Sequence, residues 1–205
     1  MWFIAFVIIF TICIIFLIFA PRKRTFYDYN DYFPELKSVC ENDQYKSLLL
    51  QEIDESDWED HPGEQFVSDN MSYKIIPVLM MGNWKHQEKY PQLATLAQNP
   101  KIRSLILAKI GKKTALKPHR LWGSLANTTM RVSIPLSIPS PNINKCGVWT
   151  KGDTRPLALT SMYDTSQLHS MFNSRVRPAI VLLIDLERPK KIRKGESTVK
   201  PPTHI

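Results

Sequence analysis

Two histidines are the residues here whose surroundings could do chemistry. His119 lies in Leu116-Lys117-Pro118-His119-Arg120. His169 closes Tyr163-Asp164-Thr165-Ser166-Gln167-Leu168-His169, and Asn173 follows it by four residues. Neutral imidazole binds Fe(II) well, and iron sites that work on O2 keep few protein ligands so that cosubstrate and gas can bind. Residue type alone does not separate such a pair from unrelated surface or core histidines. Something must hold the two side chains together, and the strands around them are the candidates. Residues 179–185 form an apolar run that closes in Leu186-Glu187-Arg188-Pro189. Residues 129–139 alternate so that Arg131, Ser133, Pro135 and Ser137 share one strand face.

The rest of the 205-residue chain supplies a frame of one domain with appendages. Residues 102–110 read as a strand stopped by Gly111-Lys112-Lys113, and residues 148–151, 156–163 and 176–186 read as further strands. Residues 73–81 are β-rich, but Pro77 cannot donate to a ladder, so an edge strand or a bulge is expected there. At least six short strands imply a sandwich or barrel. Before them, Leu36, Val39, Cys40, Leu48, Leu49 and Ile53 recur at helical intervals. A second helix should start near Pro91 and stop at Asn99-Pro100. The acidic stretch 54–64 is broken by His61-Pro62-Gly63, which makes His61 a loop residue and not a ligand; His86 reads the same way. Cys13, Cys40 and Cys146 are scattered and form neither a disulfide framework nor a zinc motif.

Residues 33–189 resemble the aspartyl/asparaginyl β-hydroxylase family of Fe(II)/2-oxoglutarate oxygenases, and within it the branch containing lipid A hydroxylases. The resemblance is carried by Phe33-Pro34-Glu35-Leu36, Lys117-Pro118-His119-Arg120, Met130-Arg131-Val132-Ser133-Ile134-Pro135-Leu136, Tyr163-Asp164 through His169, and Asp185-Leu186-Glu187-Arg188-Pro189. It implies an all-β core folded as a double-stranded β-helix (a cupin-like jelly roll) with flanking helices. It also implies His119 and His169 as iron ligands and catalytic centre, with 2-oxoglutarate and O2 as cosubstrates, and hydroxylation of an aliphatic C–H in a protein side chain or lipid. Leu121 stands where many such enzymes carry a carboxylate ligand. Arg131 matches one cosubstrate arginine of the family, and Ser133 stands at the histidine two residues later. Ala179 occupies the position of the other arginine. If residues 176–186 are a strand, Arg177 shares the face of Ala179 and could replace that arginine. Arg131, Ser133, Asn173 and Arg177 are therefore the expected cofactor-binding residues. The altered positions keep a second reading open, a jelly-roll binding protein that has lost its catalysis.

The two ends of the chain read differently from the domain. Residues 2–20 carry no charge and are long enough to cross a bilayer of roughly 30 Å. A cleaved signal peptide would want basic residues ahead of the run and a small-residue cleavage site, and neither is evident. An uncleaved anchor over residues 1–21 is expected, in contact with membrane lipids, followed by a basic and aromatic linker over 22–32. Pro21-Arg22-Lys23-Arg24 directly after the run puts the domain on the cytoplasmic side. Those three basic residues and a net five from Arg188 to Ile205 account for the whole +8. A domain of zero net charge gives no reason to expect nucleic acid. The basic residues 190–205 are expected to be a disordered tail. A cluster of Lys109, Lys112, Lys113, Lys117 and Arg120 around the first histidine could meet an acidic substrate or remain a solvated face.

Overall fold

The computed structural model describes residues 24–61 and 72–201. Twelve strands are formed among the described residues: β1 (Phe26–Tyr27), β2 (Glu59–Asp60), β3 (Tyr73–Met80), β4 (Asn83–Trp84), β5 (Ile102–Ile110), β6 (Thr114–Ala115), β7 (Thr129–Ser137), β8 (Cys146–Thr150), β9 (Asp153–Pro156), β10 (Ser161–Tyr163), β11 (His169–Asn173) and β12 (Ala179–Glu187). They make two antiparallel sheets. The larger runs β1-β10-β7-β12-β5-β3-β2, with β4 paired to β3, and the smaller runs β6-β11-β8-β9. The strand pattern implied a sandwich or barrel, and the arrangement is consistent with the jelly roll that the family resemblance implied.

Period-two alternation sorts the large sheet into two faces. Met130, Val132 and Ile134 of β7 and Leu182, Ile184 and Leu186 of β12 point outward, where they meet Phe33, Leu36, Leu49, Tyr90 and Leu93. Each fully buried Leu or Ile there contributes about 1.5–3 kcal/mol relative to exposure. The opposite face looks into the space between the sheets, where Tyr73, Ile106, Ala108, Tyr163, Val181 and Leu183 pack against Val148 and Met171. Arg131, Ser133 and Asp185 have the same parity as these inward residues.

The helical stretch is interrupted, as Lys37–Cys40 and Asp43–Glu52. The break has a local cause: Asn42 caps the second helix by accepting from the Tyr45 N–H at 3.0 Å. Leu49 is fully buried, whereas Leu48 is exposed, so the apolar stripe is narrower than the sequence suggests. Pro91 opens the Pro91–Leu96 helix at its first turn, where a missing N–H costs nothing. In β3 the register shifts between Pro77 and Leu79, the bulge expected of proline in a ladder.

Three expectations need correction. Residues 190–201 do not trail away. Ile192 and Ser197 are buried, the Gly123 N–H donates to the Val199 carbonyl at 2.8 Å, and the Ser197 N–H donates to Asn127 Oδ1 at 2.7 Å. The last strand begins at Ala179, because Ser174–Pro178 is an exposed turn. Lys109 leaves the expected basic cluster, since it pairs with Glu55 and lies over the Trp58 ring. Among the described residues no helix is long and apolar enough to cross a membrane, and the expected anchor, residues 1–21, lies outside them.

Candidate metal and cosubstrate site

The fold brings the two histidines side by side. His119 lies outside the named strands but forms an antiparallel bridge to His169, the first residue of β11. The His119 N–H donates to the His169 carbonyl and the His169 N–H donates back, each at 3.0 Å. On its other side His169 pairs with Thr150 of β8. The imidazole centroids end up 4.5 Å apart.

Their orientation is fixed by the backbone. Nδ1 of His119 lies 2.9 Å from the Lys117 carbonyl, and Nδ1 of His169 lies 2.9 Å from the Gln167 carbonyl. A carbonyl only accepts, so each Nδ1 carries the proton and each Nε2 presents its lone pair. Metal-binding histidines are commonly held this way. Nε2 of His169 is buried with no hydrogen-bond partner among the described residues. Burial holds both imidazoles below the usual histidine pKa, His169 far below it, with His119 and then Arg131 pushing it further. Both stay neutral, as ligands must.

The same face of the large sheet carries one buried ion pair. Arg131 Nε and Nη2 donate to Asp185 Oδ1 and Oδ2 at 2.8 and 2.7 Å, and neither side chain is more than 6% exposed. Burial opposes the guanidinium charge, but Asp185 more than restores it, so the Arg131 pKa is raised. Ser133 Oγ, Tyr163 OH and Thr165 Oγ1 are also buried and make no hydrogen bond among the described residues. Native proteins leave few such groups unmet. Of these, Tyr163 pairs directly with Arg131 and its ring lies 5.6 Å from that of His169, a place that fits a polar ligand.

A small cavity of about 30 Å³ opens at Arg131, lined by His61, Tyr73, Leu121, Trp122 and Leu125 among others. An ordinary ligand pocket holds about 300 Å³ or more. Leu125 also walls an outer groove of about 630 Å³ that runs past Met81, Arg103, Glu187 and Ile192.

The remaining candidates lie elsewhere. Asn173 shares a strand with His169, but its amide is committed. Nδ2 donates to the carbonyls of Ile110, Gly111 and Arg177, and Oδ1 accepts from Cys146 Sγ and the Arg175 N–H. It staples the turn before β12 and has no donor left for a cofactor. Arg177 is exposed in that turn and not on the strand, because Pro178 ends the turn and pairing starts only at Ala179. Ala179 itself is buried among apolar side chains. His61, expected to be a simple loop residue, lines the cavity, and its ring packs against Tyr73 at 5.2 Å. Its approach to the site depends on β2 pairing with β3, which no local pattern revealed. Tyr163 and Asp185 stood in the matching motifs, yet only the sheet register shows that they flank Arg131.

The loops that carry the histidines are braced from behind. Arg188 grips Asp164 with both amino groups, at 2.7 and 3.0 Å, and donates to the Ala126 carbonyl at 2.6 Å. Ser197 Oγ donates to the Leu121 carbonyl at 2.6 Å, and the Leu121 N–H donates to the Thr165 carbonyl. Gly195 lies so close to Ser166 that an added Cβ would come within 2.7 Å of it.

These residues fit a metal held by two neutral histidines. Asp164 and Asp185 are engaged by arginines, Leu121 is apolar, and no group of three or more His, Cys, Asp or Glu is poised for a metal among the described residues. For 2-oxoglutarate the fit is local to Arg131 and the unmet hydroxyls, and absent at Ala179. A jelly roll that sets two neutral histidines beside an interior arginine can hold a metal ion next to an anionic group. Residues 47–189, most of the chain, match the aspartyl/asparaginyl β-hydroxylase family, and the chain belongs to it. The lipid A hydroxylase branch within that family is not distinguished by this match.

Solved structures with a similar fold include a 2OG-Fe(II) oxygenase family oxidoreductase from Burkholderia pseudomallei, with 11% identity, 84% of this chain and 95% of that chain covered, and a TM-score of 0.49. A prolyl-4-hydroxylase from Pseudomonas putida shows 10% identity, 72% and 86% coverage and a TM-score of 0.46. A prolyl hydroxylase from Trichoplax adhaerens, in complex with a hypoxia inducible factor peptide, shows 12% identity, 74% and 80% coverage and a TM-score of 0.47. A search of curated proteins finds no match.

Proposed function

We propose that the protein is an Fe(II)- and 2-oxoglutarate-dependent hydroxylase of an aliphatic C–H, in a protein side chain or a lipid. In this reading residues 2–20 anchor it in a membrane with the domain on the cytoplasmic side. The observation that carries the chemistry is the Nε2 of His169, buried beside His119 with no hydrogen-bond partner among the described residues, with both Nδ1 atoms tied to carbonyls. When bound, iron with 2-oxoglutarate supplies the oxidation of a C–H by O2. His119 and His169 hold the metal. Arg131 offers donors to a carboxylate, and Asp185 keeps that guanidinium in place. Tyr73, Leu121 and Trp122 keep water from the cavity. Trp122 or Leu125 must swing outward to admit the cosubstrate, since the cavity is far too small for it.

That small cavity and the apolar surroundings of Ala179 favour a second reading, a jelly-roll interaction protein without turnover. Full-length protein in detergent separates the two. Mn(II), followed by its paramagnetic resonance, should bind once per chain, and both His119→Ala and His169→Ala should abolish it. With Fe(II) and O2, the wild type should convert 2-oxoglutarate to succinate. Metal binding without turnover, across a range of candidate substrates, would favour the interaction protein. Unchanged Mn(II) affinity in both variants would sink the site itself.

A further inference from the structure

The chain enters the described domain at the end of the sheets that carries the histidine pair. Phe26 of β1 opens a row that crosses the large sheet through Tyr163, Arg131, Asp185 and Ser104 to Met80. Thr25 Oγ1 donates to Asp153 Oδ2 at 2.9 Å on the small sheet, where Asp153 pairs with Thr150, the partner of His169. Phe26 is buried, its ring meets that of Tyr163 edge-on at 6.1 Å, and the Arg155 guanidinium lies 4.7 Å from its centre. The entry is therefore pinned to both sheets. The outer groove lies at this end as well, since Met81, Arg103, Thr129 and Glu187 stand just beyond the row. Its rim is cationic and partly apolar. Glu187 and Glu196 are engaged by Arg103 and Arg193, whereas Lys190, Lys191 and Lys194 are exposed and form no ion pair among the described residues. Met81 and Leu168 are apolar side chains at the same end, 47% and 40% exposed. Met81 holds its place at a φ of 49°, where glycine or asparagine would sit more easily.

We propose that this end of the domain docks on an anionic lipid bilayer, with Lys190, Lys191 and Lys194 against the headgroups and Met81 and Leu168 set into the interface. The inference rests on the membrane anchor of the reading above. Ala20 ends the apolar run and Arg24 opens the described domain, so the chain between them reaches at most about 14 Å, at ~3.5 Å for each of four residues. The opposite end of the large sheet is also basic and apolar, with Val176 71% exposed between Arg175 and Arg177. It lies about 20 Å further along β5, at ~3.4 Å for each step from Ser104 to Ile110. The short tether favours the near end, and the far end meets the bilayer only if the domain lies on its side. Lysines are drawn to an anionic leaflet by charge, and exposed apolar side chains add burial in the interface. Docked in this way, the groove and the His119–His169 bridge stand next to the headgroups, so the substrate would be met at the membrane surface.

The test uses full-length protein, in a Cys13→Ser background, reconstituted into vesicles of phosphatidylcholine alone or mixed three to one with phosphatidylserine. Cys40 and Cys146 are buried, so Met81→Cys and Val176→Cys each take a fluorescent label at one position. A quencher carried on the lipid headgroup reads how close each label comes to the surface. With phosphatidylserine present, the label at position 81 should be quenched and the label at position 176 should not. Each lysine near such a surface contributes about fivefold, so replacing Lys190, Lys191 and Lys194 together by Ala should lower the docked-to-undocked ratio on the order of a hundredfold. Mn(II) binding should be unchanged in that variant, because the two histidines are held by their own carbonyls. If position 81 is quenched no more than position 176, or no more with phosphatidylserine than without, the docking face is refuted while the anchor and the hydroxylase reading stand. Should Met81→Cys not fold, Leu168→Cys at the same end decides the same question. Release of the wild type from the vesicles by alkaline carbonate would overturn the anchor, and this inference with it.

Discussion

Removing the carboxylate of Asp185 should show how much of the site depends on one buried pair. Arg131 and Asp185 meet through two hydrogen bonds of 2.8 and 2.7 Å, and Asp185 is wholly buried between β7 and β5. Asp185→Leu keeps the branched outline of the side chain but strands a guanidinium that burial already opposes. Breaking a buried pair in this way costs about 3–5 kcal/mol. At roughly 2–4 °C per kcal/mol for a domain of this size, Tm should fall by about 6–20 °C. The companion variant Arg131→Met/Asp185→Leu removes both charges and should recover most of that loss, because a well-packed apolar pair often matches a buried ion pair. The assay is reversible denaturation of wild type, both single variants and the double, read as a thermodynamic cycle. A coupling above about 2 kcal/mol is expected for groups in direct contact. If Asp185→Leu alone costs less than about 1 kcal/mol, or the double variant merely sums the singles, the pair is not the clamp described here. Mn(II) binding should survive in the double variant, since His119 and His169 are held by their own carbonyls.

Other consequences follow from the same geometry. The pKa values of His61, His119 and His169 are all depressed by burial, so the unfolded chain takes up protons that the folded chain refuses. Their contribution to stability should be intact above about pH 6.5 and decline as pH falls towards the folded values, His61 reaching about 4; urea midpoints at stepped pH, compared with a His61→Phe variant, would show it. Asn173→Ala strands three carbonyls and an N–H, and should cost about 2–4 kcal/mol while leaving keto-acid binding intact in the folded fraction. Gly195→Val would drive a side chain into Ser166, so it should loosen the tail and weaken Mn(II) affinity through the His169 loop; unchanged protease sensitivity of the tail would contradict that.

The sequence by itself determined the frame and its most local features. Alternation in residues 129–137 specified a two-faced strand, because a period of two leaves no choice of which side chains share a face, and the apolar run from Ala179 marked a buried one. Pro77 announced its bulge and Pro91 its helix start through missing N–H groups. The motifs around His119 and His169 named the two imidazoles. Pairing across the chain decided the rest. Arg177 shares a parity with Ala179, but parity counts only inside a ladder, and Asn173 ties residues 174–177 into a turn outside it. Asn173 looked like a site residue because it follows His169, yet its amide meets carbonyls 62 and 63 residues away. The tail looked disordered by composition, since its five basic residues hide the contacts that dock it, among them Ser197 on Leu121 and Asn127, and Gly195 on Ser166. His61 sat in a loop by every local sign. It reached the cavity because β2 adds to the edge of β3, and the register of that pairing depends on residues far from it in the chain.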